Sequence, residues 1–427
     1  MYEYSPWFKR KNWTSKEMRR IMIKIIENGS VATTPGFKAS GVQAGLYKHK
    51  LDLGLILSDT ICTAATVCTT NAVTADTIPA SRTNLANGKA QGIIVNSGNA
   101  NACAPKGAEH VQTVLATLAK ETGIDKSDFV INSTGVVGVE LPVDKITNAM
   151  PNLVAGLAIG DKANADIAMA IMTTDTFPKS IAVQTEIDGK TITIGATAKG
   201  SGMIHPNMAT MLSFVTTDIA ISSDMLQKAL SRSTDISYNR VTVDGDTSTN
   251  DMVAILANGT AGNKEITSDC DNYKAFLEAL NTVNLYLAKQ IAIDGEGATH
   301  FVTVNIAGAK TEKEATILAK SVMGSSLVKT AIFGSDANWG RILVAMGYSG
   351  VSFDKNTVAI SFSSCAGDIN VCKNGMGVVF DEDLAKKILI EKNININIEM
   401  GQGQAESYAF GCDLTYDYVK INGDYRS

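Results

Sequence analysis

The residues best suited to chemistry lie near the middle of the chain, in the segment 199–212, which reads KGSGMIHPNMATML. Its glycines loosen the backbone, Pro206 fixes a bend, and Asn207 tolerates left-handed geometry. A segment of this kind can hold a strained peptide bond in place of a regular hydrogen-bonded ladder. The bond of interest joins Ala209 to Thr210, and we interpret the segment as a self-cleaving loop.

A threonine that follows such a bond has its own base close at hand. The Thr210 hydroxyl is a poor nucleophile at neutral pH and needs a proton acceptor. The amine that cleavage releases on the same residue is the most economical acceptor, because its ordinary pKa lies close to working pH. Cleavage between Ala209 and Thr210 would therefore create the catalyst.

Taken alone, the same segment has a plainer interpretation. A loop of Gly, Pro and Asn before an apolar run is more typical of a surface turn that leads into a strand. A phosphate-binding loop fits less well, because Lys199 precedes the glycines instead of following them.

Length, charge and composition limit the function classes. The chain has 427 residues, which allows two or three domains and a large core. Its 38 basic and 43 acidic residues give a net charge of −5, which argues against nucleic-acid binding as a main role. No apolar run is long enough to span a membrane, so we expect a soluble, cytoplasmic protein.

Cysteine and histidine usage argues against a metal centre. The seven cysteines are scattered, with no C-x-x-C pair, and are typical of reduced residues in a cytosolic protein. Four dispersed histidines are too few for a zinc site or a Ser-His-Asp triad. We therefore expect no metal and no cofactor, and an enzyme built this way needs a base other than histidine.

Strand and helix patterns alternate along the chain. Amphipathic spacing predicts helices at 107–122, 145–158, 163–172 and 273–293. Apolar, β-branched runs predict strands at 51–57, 92–95, 129–131, 191–194, 211–215, 301–306, 358–362, 394–399 and 409–421. No G-x-G-x-x-G follows the first strand, so the alternation favours a mixed α/β fold over a dinucleotide-binding one.

Three further segments carry polar groups that could meet a ligand. The strand that ends in Thr134 and Gly135 exposes backbone N–H groups at its tip, as an oxyanion site needs. Thr173 belongs to a threonine-rich cluster that suits a polar substrate, although a helix-ending turn explains it equally well. Glu296 follows the long helix in a glycine-rich turn, where a solvated carboxylate is the plainer interpretation.

The first 21 residues differ from the rest. They are rich in Lys and Arg, with Trp7 and Trp13 among them, and they lack the apolar region and cleavage site of a secretory signal. We interpret 1–21 as a disordered extension or the product of an upstream start codon, with Met22 opening the folded part.

Several separate segments together resemble one family. The sequence is similar to the ornithine acetyltransferases (glutamate N-acetyltransferases) of arginine biosynthesis over residues 22–427. The segments that carry this resemblance, in chain order, are 96–101 (NSGNAN), 133–136 (STGV), 173–176 (TTDT), 199–212, 294–299 (DGEGAT) and 336–341 (DANWGR).

The resemblance implies a fold and a reaction. The fold is a layered α/β/β/α sandwich of the self-cleaving N-terminal-nucleophile type, with a smaller C-terminal α/β domain. Family members cut themselves before the threonine that matches Thr210, giving an alpha chain, here 22–209, and a beta chain, here 210–427, that stay associated. N-acetyl-L-ornithine acetylates this threonine, and the acetyl group then passes to L-glutamate.

The resemblance also assigns residues. Thr210 is the nucleophile, and Thr134 and Gly135 are the oxyanion donors. The residues around the amino-acid substrate are Thr173, Lys199, Thr210, Glu296, Asn422 and Ser427. The choice of Thr173 over Thr174 depends on register. Lys199 can neutralise an α-carboxylate, and Glu296 can pair with the ornithine ammonium.

Two residues depart from the pattern of the family. His300 stands where the family commonly has lysine, and Ser427 where threonine is frequent. Acetyl-CoA as a second donor and a dimer of cut chains, a heterotetramer, are family expectations. The alternatives are a related self-cleaving amidohydrolase or aminopeptidase with an N-terminal threonine, and an uncut, non-catalytic amino-acid-binding protein.

Overall fold

The computed structural model describes residues 23–205 and 211–424. The N-terminal extension 1–21, the Ala209–Thr210 bond and Ser427 lie outside these residues. None of the described helices is long and apolar enough to cross a membrane. All seven cysteines are unpaired. Residues 23–205 and 211–424 contain no group of three or more His, Cys, Asp or Glu side chains that could hold a metal ion.

Sixteen strands and eleven helices make up the described chain. The strands are β1 (Lys24–Ile26), β2 (Phe37–Val42), β3 (Leu53–Cys68), β4 (Lys89–Asn96), β5 (Phe129–Ser133), β6 (Lys179–Ile187), β7 (Lys190–Lys199), β8 (Leu212–Thr217), β9 (Val241–Thr242), β10 (Met252–Ala257), β11 (Phe301–Ala309), β12 (Ala359–Ser364), β13 (Gly367–Lys373), β14 (Met376–Gly377), β15 (Asn393–Glu399) and β16 (Ala405–Cys412). The helices are α1 (Thr77–Asn84), α2 (Gly107–Thr122), α3 (Val143–Ala155), α4 (Asp161–Ala170), α5 (Ser223–Ile236), α6 (Asp271–Ile293), α7 (Glu312–Met323), α8 (Ser326–Phe333), α9 (Trp339–Gly347), α10 (Glu382–Leu389) and α11 (Tyr416–Gly423).

The larger sheet has the strand order β1-β6-β7-β8-β10-β3-β4-β5, with β2 paired to β3. The long strand β3 joins its two parts. Its first half pairs with β2 and β4, and its second half pairs with β10. The pairing with β4 is irregular between Leu57 and Cys62, where the halves of β3 meet. A bulge of this kind bends a strand and lets one strand serve two layers.

Side-chain alternation shows how the layers stack. Phe214, Met252 and Ala254 share one core with Ile93 and Val130 of β4 and β5, so the two parts of the sheet face each other. Their neighbours along the strands point outward. The outward residues of β8 and β10 pack against α5 and α6, and those of β4 and β5 pack against α2 and α3. The result is the α/β/β/α sandwich that the resemblance implies, which is confirmed.

A second, seven-stranded sheet forms the smaller C-terminal part, in the order β14-β13-β12-β15-β11-β16-β9. Its core contains side chains of α7, α9 and α10. Helix α6 packs on β6 of the larger sheet and also on β16 of the smaller one. The long predicted helix, observed as Asp271–Ile293, therefore joins the two sheets.

The strand predicted over 409–421 is wrong in its second half. Strand β16 ends at Cys412, and Asp413 then accepts hydrogen bonds from the backbone N–H groups of Thr299 and His300 at 2.8 and 3.0 Å. The chain leaves the sheet there and forms α11. His300 also places its Nδ1 2.8 Å from Asp413 Oδ2, so its ring supports this turn.

Candidate active site

A cavity of about 280 Å³ collects residues from distant parts of the chain. Six residues singled out in the sequence lie in its wall, namely Thr134, Gly135, Thr173, Lys199, Glu296 and Asn422. Met211 and Leu212, which follow the Ala209–Thr210 bond directly, also line it. Ala209, Thr210 and Ser427 belong to the part of the chain that the structure does not describe.

The turn after β5 presents two hydrogen-bond donors. The Thr134 N–H donates to Asn96 O at 2.9 Å, so the expectation of a free N–H is wrong for this residue. Its hydroxyl oxygen accepts from Lys199 Nζ at 3.4 Å, which leaves the O–H to donate. The Gly135 N–H has no acceptor among residues 23–205 and 211–424. The donor pair is therefore the Thr134 hydroxyl and the Gly135 N–H.

Only glycine fits at position 135. Its φ angle is +134°, and an added Cβ would lie 2.4 Å from Gly98 C and 2.5 Å from Asn99 N. This contact presses the turn against the polar loop 96–101. Asn250 ties the two together, because its Nδ2 donates to Ala100 O and Ser133 O at 2.6 and 2.7 Å. The loop 96–101 thus supports the turn from behind.

Lys199 ends β7 and is only 8% exposed. Burial lowers the pKa of its ammonium, as does neighbouring Lys179, whereas the carboxylates of Asp175, Asp251 and Glu296 raise it. Its hydrogen bond to Thr134 is long, and no described carboxylate forms an ion pair with it. A buried ammonium with so little pairing suits an anionic ligand.

Glu296 faces the same cavity and is 7% exposed. The Asn422 Nδ2 donates to its Oε2 at 2.7 Å from α11. Gly202 allows this approach, because a Cβ there would lie 2.3 Å from the Glu296 carboxyl carbon. The site therefore holds a nearly buried carboxylate and a nearly buried ammonium in one cavity.

Thr173 is held by its backbone. Its N–H donates to Asp175 Oδ2 at 3.0 Å, and its carbonyl accepts from Lys50 Nζ at 2.8 Å. Thr173 and Thr174 both line the cavity. Burial lowers the pKa of Lys50, and Lys199 lowers it further, against the carboxylates of Asp175 and Asp52.

An ion-paired cluster of Asp175, Lys179 and Asp294 lies behind Thr173. The Lys179 Nζ is 2.7 Å from Asp175 Oδ1 and 2.5 Å from Asp294 Oδ2, and all three side chains are at most 2% exposed. Asp175 also accepts from the Gly200 N–H at 2.7 Å, which anchors the start of the segment 199–212. Burial would raise the Asp175 pKa, but Lys179 and Lys199 outweigh it and bring the pKa to about 2.

The sequence interpretation did not single out Asp251, Lys50 or the pairing of Lys179. Asp175 and Lys179 are four residues apart, but no helix connects them, so this spacing did not predict their ion pair. Asp251 lies in the cavity wall, just before β10, with 2% exposure. Its signal was an acidic residue at the head of the apolar run MVAILA. Lys50 had no comparable signal.

Comparisons with known proteins agree on one family. The ArgJ family model matches residues 38–427. The protein named arginine biosynthesis bifunctional protein ArgJ of Caldanaerobacter subterraneus subsp. tengcongensis is 48% identical over 403 residues, covering 94% of this chain and all of the relative. The protein of the same name from Staphylococcus aureus is 43% identical, covering 94% of this chain and 97% of the relative.

Among solved structures, the ArgJ protein of Bacillus halodurans is 47% identical with a TM-score of 0.48, covering 51% of this chain and 100% of that one. An ornithine acetyltransferase from Mycobacterium tuberculosis, solved with ornithine, is 30% identical with a TM-score of 0.41, covering 44% of this chain and 100% of that one. The extent and identity of the sequence matches show that the chain belongs to the ArgJ family of arginine biosynthesis enzymes and is an acyltransferase, as its motifs indicate.

Proposed function

We propose that this chain is a self-cleaving acetyltransferase that moves an acetyl group from N-acetyl-L-ornithine to L-glutamate through an acetyl-threonine intermediate. One observation carries the proposal. A single cavity, walled by Met211 next to the cleavage point, contains two hydrogen-bond donors, a buried ammonium and a buried carboxylate. These are the groups that an acyl transfer between two charged amino acids requires.

Cleavage between Ala209 and Thr210 divides the chain into an alpha chain, 22–209, and a beta chain, 210–427, and frees the Thr210 amine. The neighbours of Thr210 support this role. The Met252 N–H donates to Met211 O at 3.0 Å, and Leu212 pairs with Lys199 across the sheet. Met211, the residue that follows the proposed nucleophile, is therefore held by the sheet at the cavity wall.

The Thr210 hydroxyl then attacks the acetyl carbonyl of the donor, with the Thr210 amine as base. Negative charge develops on the carbonyl oxygen. The Thr134 hydroxyl and the Gly135 N–H are the donors that stabilise it, and removing one such donor typically costs about two to three orders of magnitude in rate.

Charge complementarity supports the choice of substrates. N-acetyl-L-ornithine carries a carboxylate and a side-chain ammonium, and the cavity offers Lys199 for the first and Glu296 for the second. Asn422 orients the Glu296 carboxylate. Thr173 and Ser427 are proposed to complete the pocket, with Ser427 three residues beyond Asp424.

The reaction has two half-reactions. In the first, a bond forms between Thr210 Oγ and the acetyl carbon, the amide C–N bond breaks, and ornithine leaves with a proton on its amine. In the second, the amine of glutamate attacks the ester, N-acetylglutamate leaves, and the proton returns to Thr210 Oγ. No cofactor is required, and acetyl-CoA would act as a second donor to the same threonine.

The first test measures cleavage of the chain and the activity of a Thr210 variant. Denaturing electrophoresis should resolve two fragments, and N-terminal sequencing of the second should begin at Thr210. Thr210→Ala should leave a full-length, folded and inactive chain, whereas Thr113→Ala on the exposed face of α2 should be cut and active. Transfer activity retained by Thr210→Ala would refute the assignment.

Isotopic label on the acetyl group distinguishes the competing activities. We expect label from N-acetylornithine to appear in N-acetylglutamate, with mass spectrometry finding acetylated Thr210 when glutamate is left out. Release of label only as free acetate would favour the amidohydrolase. The same assay with labelled acetyl-CoA tests the second donor, and light scattering tests the proposed dimer of cut chains.

A further inference from the structure

Asp251 is a buried carboxyl group in the cavity wall that has no role in the proposed mechanism. It is 2% exposed and lies in the cavity wall with Lys199 and Thr134. Its Oδ2 is buried and has no hydrogen-bond partner among the described residues. Because a buried polar atom without a partner is costly, this oxygen calls for a functional explanation.

The surroundings of Asp251 favour its neutral, protonated form. Burial raises the pKa of this carboxyl well above its usual value, and this outweighs Lys199 and the hydrogen bonds from Ser248 and Thr69, which lower it. The thiol of Cys68 on β3 also lies near it, and its own pKa is raised, first by burial. Lys199, at the end of β7, is therefore the ammonium whose charge lowers the pKa of Asp251.

The strand register brings Asp251 close to the reaction. Met252 pairs with Leu212 in the parallel ladder of β10 and β8, and its N–H donates to Met211 O at 3.0 Å. Asp251 therefore runs alongside Met211, the residue that follows the proposed nucleophile. Asp251 and Met211 both line the cavity.

We propose that Asp251 is the acid that delivers a proton to the departing amine of the acetyl donor and takes one back from the attacking amine of the acceptor. The inference rests on the proposed function. It adds to that function a separate proton donor, where the Thr210 amine alone would otherwise both remove and return the proton.

The protons balance over the two half-reactions. The Thr210 amine takes the proton from Thr210 Oγ as the Oγ–acetyl bond forms. The amide C–N bond breaks, and the leaving nitrogen takes the proton of Asp251 Oδ2 with its electron pair. The Asp251 carboxylate and the Thr210 ammonium persist while Thr210 is acetylated. In the second half-reaction the Asp251 carboxylate takes the proton from the attacking amine of glutamate, and the Thr210 ammonium returns its proton to Thr210 Oγ as the ester bond breaks. Lys199 stabilises the Asp251 carboxylate while it is charged.

The experiment compares two acetyl donors on Asp251→Asn. N-acetyl-L-ornithine has a leaving amine that needs a proton, whereas p-nitrophenyl acetate releases a phenolate that needs none. We expect acetylation of Thr210 by N-acetylornithine to slow by about 100-fold or more, in the range for general acid catalysis, and acetylation by the ester to change by less than about threefold.

Two control variants set the scale. Thr134→Val removes an oxyanion donor and should slow both donors together. Asp144→Asn, on the exposed first turn of α3, should slow neither. The burst of nitrophenolate counts the chains with a competent Thr210, so every rate is expressed per competent site.

Each outcome decides the matter. An equal loss with both donors, or no loss with either, would overturn the role of Asp251. If Asp251→Asn stays uncut and gives no burst, Asp251→Glu takes its place, and its donor ratio should stay near that of the wild type. A shifted ratio, or failure of both variants to cleave, would overturn the proposal. A wild-type protein that never forms acetylated Thr210 would instead refute the proposed function.

Discussion

Two groups of buried ionisable side chains lie in this molecule and differ in how they are paired. In the ion-paired cluster, Asp175, Lys179 and Asp294, the Lys179 ammonium lies within 2.7 Å of an oxygen of each carboxylate. The cavity cluster consists of Lys199, Asp251 and Glu296. Its members are also at least 90% buried, but they form no ion pairs among themselves and face an open space.

The difference in pairing separates side chains that stabilise the fold from side chains that can act on a ligand. Buried charges that are fully paired hold chain segments together, and removing one partner leaves the others uncompensated. Buried ionisable groups that lack ion-pair partners carry a free-energy cost that a ligand can offset. Here the first cluster anchors Gly200 and Thr173, and the second lines the cavity. Substitutions in the ion-paired cluster should therefore change mainly stability, and substitutions at the cavity should change mainly kcat or KM.

The largest effect is expected from Lys179→Met. This variant leaves Asp175 and Asp294 buried without their cation, so the free energy of unfolding should fall by about 3–5 kcal/mol. Urea unfolding measures the change. Lys162→Met removes the ammonium from an ion pair in which the lysine side chain is 87% exposed, and should change stability by less than about 1 kcal/mol. Equal small effects in both variants would erase the distinction between the two clusters.

Thr134→Val tests the cavity side of the comparison. Valine keeps the shape but removes the hydroxyl that is proposed to donate to the developing oxyanion, so kcat should fall by about 100- to 1000-fold. The free energy of unfolding should change by less than about 1 kcal/mol. Thr113→Val, on the surface of α2, is the control for both measurements. A large loss of stability with little loss of kcat would place Thr134 among the supporting residues.

Glu296→Gln should act on one substrate. Glutamine can still accept the Asn422 hydrogen bond but cannot neutralise the ornithine ammonium, so KM for N-acetylornithine should rise by about 10- to 100-fold. N-acetylnorvaline, which has the same carbon chain without the ammonium, should bind the variant no more weakly than the wild type. Glu382→Gln, exposed on α10, is the control. An equal change with both donors would contradict the pairing.

The smallest effect concerns how the free energy of unfolding depends on pH. The slope should have opposite signs for Asp175 of the ion-paired cluster and Asp251 of the cavity cluster. The Asp175 pKa falls from 3.8 to about 2, so its contribution, roughly 2 kcal/mol, is present above the unfolded pKa and lost as pH falls through about 2.

Asp251 has a raised pKa, so above 3.8 the unfolded chain releases a proton that the folded protein keeps, and stability falls as pH rises toward the folded pKa. Asp251→Asn should remove this slope and stabilise the protein at pH 7 by about 1 kcal/mol. Unfolding midpoints measured from pH 3 to pH 8, with Asp144→Asn as the control, test it. Parallel slopes in wild type and variant would refute it.

Much of the architecture followed from local patterns. The helix predicted over 107–122 is observed at Gly107–Thr122, because its apolar spacing and the glycine after it are local signals. The strand predicted over 409–421 is wrong in its second half. The strand ends because Asp413 accepts hydrogen bonds from Thr299 and His300, which are more than 100 residues away in the sequence. No local propensity records such a contact.

The site divides in the same way. Motif order indicated Thr134, Gly135, Thr173, Lys199, Glu296 and Asn422, and the structure brings all six to one cavity. The order of the motifs could not indicate that the Thr134 N–H is bonded to Asn96 O or that Asp251 is buried in the cavity wall. Both depend on which strands lie next to each other.

The sequence by itself determined the family, the general alternation of strands and helices, and the residue types available for catalysis. Only the tertiary structure decided which of those groups are paired and which are left to meet a ligand. The physical reason is that pairing and burial are set by contacts between segments far apart in the chain. Lys179 meets Asp294 across 115 residues, and Lys199 meets Thr134 across 65.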